Sequence, residues 1–201
     1  MSNFINIKAM KKKLILLVAL MPLFALAQKF EMVPGTFVNA DDTTKNYVVV
    51  ELEGTQAELY QKAKTALTMM YNSPKDVMSY NEPDVIIANG YTEDAAIMKR
   101  MGMTFAHGMH YRMQFMFKDG RIRINAPQVD KADYYNPSSH KVTSSIYFTE
   151  GSGGMSGDTY IWDKKGKLKQ DKIKKSVEDY FNALIATFIS KMKDSSSDAD
   201  W

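Results

Sequence analysis

Two hydrophobic rhythms alternate along this chain, one of period two and one of 3.6 residues, and they divide it into strands and helices. Tyr47 to Glu53 (YVVVELE) is rich in β-branched residues and stops at Gly54, which predicts a first strand. Thr55-Gln56-Ala57-Glu58 then has the spacing of a capping box. Behind it Leu59, Ala63, Ala66, Leu67 and Met70 share one stripe, so a helix is expected to about Tyr71, ended by Asn72-Ser73-Pro74. Two short strands follow, Asp76 to Tyr80 and Asp84 to Thr92, joined as a hairpin through Asn81-Glu82-Pro83. Glu93 to Gly108 interrupts the pattern, with one helical turn expected around Ala95 to Arg100.

The sharpest local signal is Met109 to Ala126, where Asp119-Gly120 separates two alternating segments and fits a type I′ turn. A two-residue loop pairs Lys118 with Arg121, Phe117 with Ile122, Met116 with Arg123, Phe115 with Ile124 and Gln114 with Asn125. One face then carries Tyr111, Met113, Phe115, Phe117, Ile122 and Ile124. The other carries His110, Arg112, Gln114, Met116, Lys118, Arg121, Arg123 and Asn125. Such a sheet is covered on one side only.

Pro127 to Thr143 reads as a long polar loop insertion. Ser145 to Glu150 and Thr159 to Asp163 are expected to be strands, separated by a flexible glycine-rich hairpin loop over Gly151 to Gly157. The strongest helical repeat closes the chain: Ile173, Val177, Tyr180, Phe181, Leu184, Ile185, Phe188, Ile189 and Met192. Residues 46–193 are expected to form one domain, preceded by a lead-in linker over 28–45 and followed by a disordered acidic tail over 194–201.

The first 27 residues follow a different grammar. Lys11-Lys12-Lys13 precedes a short apolar run from Leu14 that closes on Ala25-Leu26-Ala27, as in a secretory signal peptide cleaved after Ala27. The run is fourteen residues long, about 21 Å as a helix and short of the roughly 30 Å of a bilayer core. No transmembrane helix is therefore expected after cleavage, and a periplasmic or secreted product is. Met1 to Ala9 reads as an upstream extension, with Met10 an alternative start.

Cleavage changes the electrostatics. Removing Lys8, Lys11, Lys12 and Lys13 takes 26 basic residues to 22 against 23 acidic ones, so the formal net charge moves from +3 to −1. The apparent pI of 8.8 thus belongs largely to the leader, and a globally basic nucleic-acid binder is not implied. The chain has no cysteine. Thiol nucleophiles, thiolate metal sites and disulfides are thereby excluded.

The order YVVVELEGTQAELYQKAKTAL, DVMSYNEPDVIIANG, YRMQFMFKDGRIRIN and WDKKGKLKQDKIKKSVEDYFNALI resembles the exported Bacteroidetes domain of unknown function 4468. The likeness runs roughly from Asn46 to Lys193. It implies an α+β fold, the TBP-like β-α-β4-α lobe, in which two helices pack on one face of an antiparallel sheet, here with loop insertions. It carries no assigned activity, so no functional residue is transferred from it, and no catalytic residue or cofactor is expected.

Candidate chemistry is sparse. Met98, Met101, Met103, Met109, Met113 and Met116, with His107 and His110 between them, offer soft and borderline ligands of the kind that suit Cu(I). Met103, His107 and His110 are the residues such a site would use. Gly151 to Gly157 lacks the following helix that a phosphate loop requires. Ser138 to Lys141 and Ser190 to Lys193 match S-x-x-K without its companion motifs. Seven lysines, Lys164, Lys165, Lys167, Lys169, Lys172, Lys174 and Lys175, crowd the approach to the last helix, where acidic residues would be favoured.

The expected role is a non-enzymatic binding module of the bacterial cell envelope, with an envelope protein or glycan as partner rather than nucleic acid. Its expected contact surface is Arg112, Lys118, Arg121 and Arg123 with Tyr134 and Tyr135. The alternatives are a copper-binding protein, or a hydrolase or metal-dependent enzyme assembled from Asp130, Asp133, Tyr134, Tyr135, His140 and Glu150. An enzyme would require those side chains to converge in one pocket.

Overall fold

The computed structural model describes residues 29–153 and 157–194. The leader expected over 1–27 lies outside them, as does the expected tail apart from Asp194, which closes the last helix. Five strands form the centre of a large sheet. They are β3 (Tyr47–Glu51), β4 (Met78–Asn81), β5 (Val85–Arg100), β6 (Met103–Lys118) and β7 (Arg121–Asn125), in the spatial order β3-β7-β6-β5-β4 with every neighbour antiparallel. The Asp119-Gly120 turn sets the expected register, with Lys118 opposite Arg121 and Phe115 opposite Ile124. Gly120 takes φ 73° but Asp119 is not at positive φ, so the loop keeps the expected register without the expected type I′ geometry and places its glycine as a type II turn does.

Helix α1 (Gln56–Met70) opens on the anticipated capping box, in which Glu58 accepts the Thr55 N–H at 2.7 Å and Thr55 accepts the Glu58 N–H at 3.4 Å. A single turn, α2 (Pro74–Val77), precedes β4. Helix α3 (Asp171–Asp194) buries Ile173, Val177, Phe181, Ile185, Phe188 and Met192 along one stripe. Both long helices pack against the sheet and against each other. The sheet face they cover presents Ile86, Ala88, Met109, Tyr111, Met113, Phe115, Phe117, Ile122 and Ile124, all buried.

Four expectations are corrected. The first concerns residues 28–45, where β1 (Phe30–Val33) and β2 (Thr36–Asn39) pair as a hairpin instead of forming a linker. Pro34-Gly35 forms its two-residue loop, with Gly35 at φ 79° as in a type II turn. The hairpin seals against α3: Asn182 accepts the Phe30 N–H at 2.8 Å and donates to the Phe30 carbonyl at 3.0 Å, and Glu178 accepts the Met32 N–H at 2.7 Å. Phe30, Met32 and Phe37 belong to the same core as the rest, so the domain reaches back past Asn46.

Second, Ala95 to Arg100 is strand. The bulge between Thr92 and Ala96 buries both Ala95 and Ala96, which erases the period-two signal where β5 continues to its turn with β6. Third, the polar insertion folds into β8 (Lys131–Asn136), which pairs with β9 (Lys141–Gly151). Only Ala132 is buried in β8, so its sequence looks like a loop. Fourth, β10 (Thr159–Asp163) runs parallel to β9, Thr159 opposite Ile146 and Asp163 opposite Gly151, so the two strands are not the arms of a hairpin.

These last strands attach to β6. Its C-terminal half pairs with β7 and its N-terminal half meets β8 at Gly108 and Asp133, with β5 along the whole opposite edge.

Candidate functional site

The sheet face away from the helices is open, and strand alternation decides what it shows. β6 contributes His110, Arg112, Gln114, Met116 and Lys118, while β7 contributes Arg121, Arg123 and Asn125. β5 adds Ile87, Asn89 and Tyr91, and β3 adds Tyr47 and Val49. The basic, polar surface expected from the hairpin is therefore present, and its cations are arranged rather than scattered.

Arg123 is the best-held of them. Its guanidinium lies 3.9 Å from the Tyr47 ring centroid, its Nε donates to Asn125 Oδ1 at 2.7 Å, and Asn125 in turn donates to Gln114 at 2.8 Å. A stacked and hydrogen-bonded guanidinium loses less freedom on meeting an anion than a free one. Arg112 is anchored through its backbone, which exchanges hydrogen bonds of 3.0 and 2.9 Å with Gln128. Its side chain makes no ion pair with any described residue, and the same holds for Lys118, Arg121 and Arg123.

A groove of about 820 Å³ runs across this face, lined among others by Asn89, His110, Arg112, Arg123, Asn125, Gln128 and Asp130. A second hollow of about 860 Å³ shares Arg123 and adds Tyr47, Met116, Lys118 and Arg121. Tyr91 forms one wall, its ring 4.6 Å from that of His110. Gly108 makes room for it, since a Cβ there would lie 2.4 Å from the Tyr91 hydroxyl.

Tyr134 and Tyr135 are not on this surface. Tyr134 is half-buried against Phe105 and His107, with ring centroids 5.5 and 5.6 Å apart. Tyr135 is exposed and bonds His140 at 3.3 Å. The expected contact set therefore splits into two regions.

The proposed copper ligands are also separated. β6 alternation turns His107 and His110 to opposite faces, and Met103 sits at the exposed start of the strand. His107 is fully buried, its Nε2 3.2 Å from the Ser144 hydroxyl and its Nδ1 without a hydrogen-bond partner. Burial pushes this imidazole below its ordinary value. A folded-state value below the unfolded one means that the unfolded chain takes up the proton first. Stability is then full above the ordinary histidine range and falls as pH drops through about 6.5. Melting at about pH 7.5 and about pH 5 checks this: the loss of Tm on acidification should shrink in His107→Leu, and an unchanged pH response would exclude His107 as its source.

The residues of the enzymatic alternative do not converge. Asp133 is held by Lys131 at 2.9 Å and accepts the Ser145 hydroxyl at 2.6 Å. Asp130 borders the open groove, Glu150 is exposed beside Gly166, and His140 lies in the turn between β8 and β9. No group of three His, Asp or Glu side chains able to hold a metal occurs among the described residues. Ser138 to Lys141 is a turn, and Ser190 to Lys193 is the end of α3. Of the seven lysines before α3, Lys169 pairs with Asp163 at 3.3 Å, Lys174 with Glu178 at 2.7 Å and Lys175 with Asp179 at 2.8 Å.

Helices on one face of a β3-β7-β6-β5-β4 antiparallel sheet, with the other face open, define an α+β protein of the TBP-like kind. One solved structure shares this fold. The chain is similar to a TBP-like protein from Parabacteroides distasonis, with a TM-score of 0.51 at 15% identity over 73% of this chain and 90% of that one. It is also similar to a DUF4468 family protein from Bacteroides ovatus, with a TM-score of 0.45 at 11% identity over 84% of this chain and 92% of that one. No family model matches the sequence, and no curated protein does. No helix of the described residues is long and apolar enough to cross a membrane.

Proposed function

We propose that this protein is a non-enzymatic, exported binding module of the bacterial cell envelope whose open sheet face holds carboxylate or phosphate groups of its partner. Export rests on the leader grammar of residues 10–27. Anion binding rests on one observation above all: Arg112 and Arg123 line a single groove, one of them stacked and oriented, and neither is neutralised by a described carboxylate. Arginine presents a planar fork that matches either anion bidentately. Asn89, Asn125 and Gln128 around them supply neutral donors and acceptors for the remainder of a ligand.

Titration with polygalacturonate and, separately, with inorganic phosphate tests this. Each charge-assisted bond lost should weaken binding about tenfold or more, so Arg112→Ala and Arg123→Ala are both expected to reduce affinity by at least that factor for the anion that binds. Equal affinity of the double variant and the parent for both anions would defeat the reading.

A further inference from the structure

The long β5–β6 hairpin ends in a turn at Met101-Gly102, and the β8–β9 hairpin ends at Pro137 to His140. β6 and β8 are antiparallel, with Gly108 opposite Asp133, so the start of β6 lies beside the end of β8 and the two turns project from the same edge of the molecule. The Phe105 to Tyr134 ring contact joins the hairpins just behind their tips.

Large apolar side chains gather there in the open. Met101 is 89% exposed, the most of any large hydrophobic residue described, and Met103 (56%), Tyr135 (51%) and Val142 (52%) lie exposed along the two hairpins behind the tips. Met101 also occupies a backbone position that does not suit it. Its φ is 51° and that of Gly102 is 78°, the two-residue type I′ geometry that favours Asn or Gly at the first place. A non-glycine, non-Asn residue held there costs about 1–2 kcal/mol, so turn formation does not account for methionine.

The charge around the tips has one sign. Lys99, Arg100 and Lys141 flank them and make no ion pair with a described residue. The chain carries no Asp or Glu from Ala95 to Lys118 or from Tyr134 to Thr149. A carboxylate does approach from another segment: Asp158 lines a concavity with Met98, Lys99 and Arg100, and it accepts the Ser145 N–H at 3.1 Å.

From these observations we infer that the paired hairpin tips form a membrane-docking edge, in which Met101, Met103, Tyr135 and Val142 enter the headgroup layer of a bilayer while Lys99, Arg100 and Lys141 meet anionic headgroups. Flexible thioethers and a tyrosine suit a disordered interface, and cations on tip segments that carry no Asp or Glu of their own complement an anionic one. A folded protein partner would be expected to meet a mixed-charge rim instead. This edge is separate from the arginine groove, so each can fail without the other.

Co-sedimentation decides it, using the protein in the form that the cell accumulates, its N-terminus read by mass spectrometry, with phosphatidylcholine vesicles containing or lacking phosphatidylglycerol. The parent should pellet with the anionic vesicles. Met101→Glu with Met103→Glu, and separately Lys99→Glu with Arg100→Glu, should each reduce the bound fraction at least about fivefold. Arg112→Ala with Arg123→Ala measures separately what the groove itself adds to vesicle binding. Unchanged melting of the tip variants would show that these exposed substitutions leave the fold intact. Failure of the parent to pellet, parent-like pelleting by folded tip variants, or loss confined to the arginine variant would each overturn the inference. So would a parent dimer in sedimentation velocity that the methionine variant dissociates, because a second copy would then cover this edge.

Discussion

Replacing Phe181 with alanine is expected to remove about 3–5 kcal/mol of stability, the range for deleting a fully buried aromatic ring. Phe181 lies where three parts of the chain meet. Its ring makes edge contacts with Phe37 of the N-terminal hairpin at 5.2 Å, with Tyr111 of the sheet at 5.3 Å and with Tyr180 of its own helix at 5.3 Å. No solvent reaches it. The cavity would open between layers held apart by their own backbones, which limits collapse. For a chain of this size 1 kcal/mol corresponds to about 2–4 °C, so Tm should fall by about 10 °C in thermal denaturation. A fall of less than about 3 °C would mean that the hairpin and sheet close the gap.

The second large effect is overpacking. A Cβ on Gly90 would lie 2.2 Å from Cζ of Tyr111, a separation that real side chains do not tolerate, so Tyr111 would have to move. It is poorly able to. Its hydroxyl lies 3.2 Å from that of Tyr180 and 3.4 Å from that of Tyr71, and its ring is wedged against Phe181. Burial pushes the Tyr111 and Tyr180 hydroxyls up, so the cluster stays protonated and hydrogen-bonded throughout the neutral range. Gly90→Ala is therefore expected to cost about 2–3 kcal/mol, at the upper end of what an added methyl does in a packed core. The cause can be isolated by a double substitution. Gly90→Ala should destabilise a Tyr111→Leu background by at least about 1 kcal/mol less than it destabilises the parent, since neighbouring residues that share one clash are not additive. Simple additivity would place the strain elsewhere.

The glycines show why part of this fold is legible in the sequence and part is not. Regular alternation from Tyr111 to Ile124, the capping box at Thr55 and the stripe from Ile173 to Met192 each state a local preference that agrees with the tertiary arrangement, and they appear as read. Ala95 and Ala96 conceal the continuation of β5 because a bulge buries two adjacent residues. β8 is concealed because it is held by pairing and has little core face of its own. The N-terminal hairpin left one readable sign, the Pro34-Gly35 dipeptide between Met32-Val33 and Thr36-Phe37-Val38. The parallel β9–β10 pair left none, as strand direction has no composition.

The candidate site divides in the same way. Alternation across the Asp119-Gly120 turn places Arg112, Lys118, Arg121 and Arg123 on the open face, yet nothing local says that Tyr47, 76 positions before Arg123, stacks on its guanidinium. Tyr134 and Tyr135 are expected beside those cations, and β8 instead holds them in a separate region, which a segment without a recognisable strand pattern does not reveal. Met101 was grouped with possible metal ligands by composition, and only the turn geometry shows it at a projecting tip.

The seam between β1 and α3 also governs when the molecule can become complete. Phe30 finds its hydrogen-bonding partner in Asn182, 152 positions later, and Met32 finds its partner in Glu178, 146 later. A ribosome or an export channel delivers the chain from its N-terminus, so the first strand to emerge is the one that waits longest for its partner. Until α3 arrives, Phe30, Met32 and Phe37 have no core to enter and remain available to chaperones. On topological grounds this long-range contact, unlike the local hairpins, is expected to close late in folding.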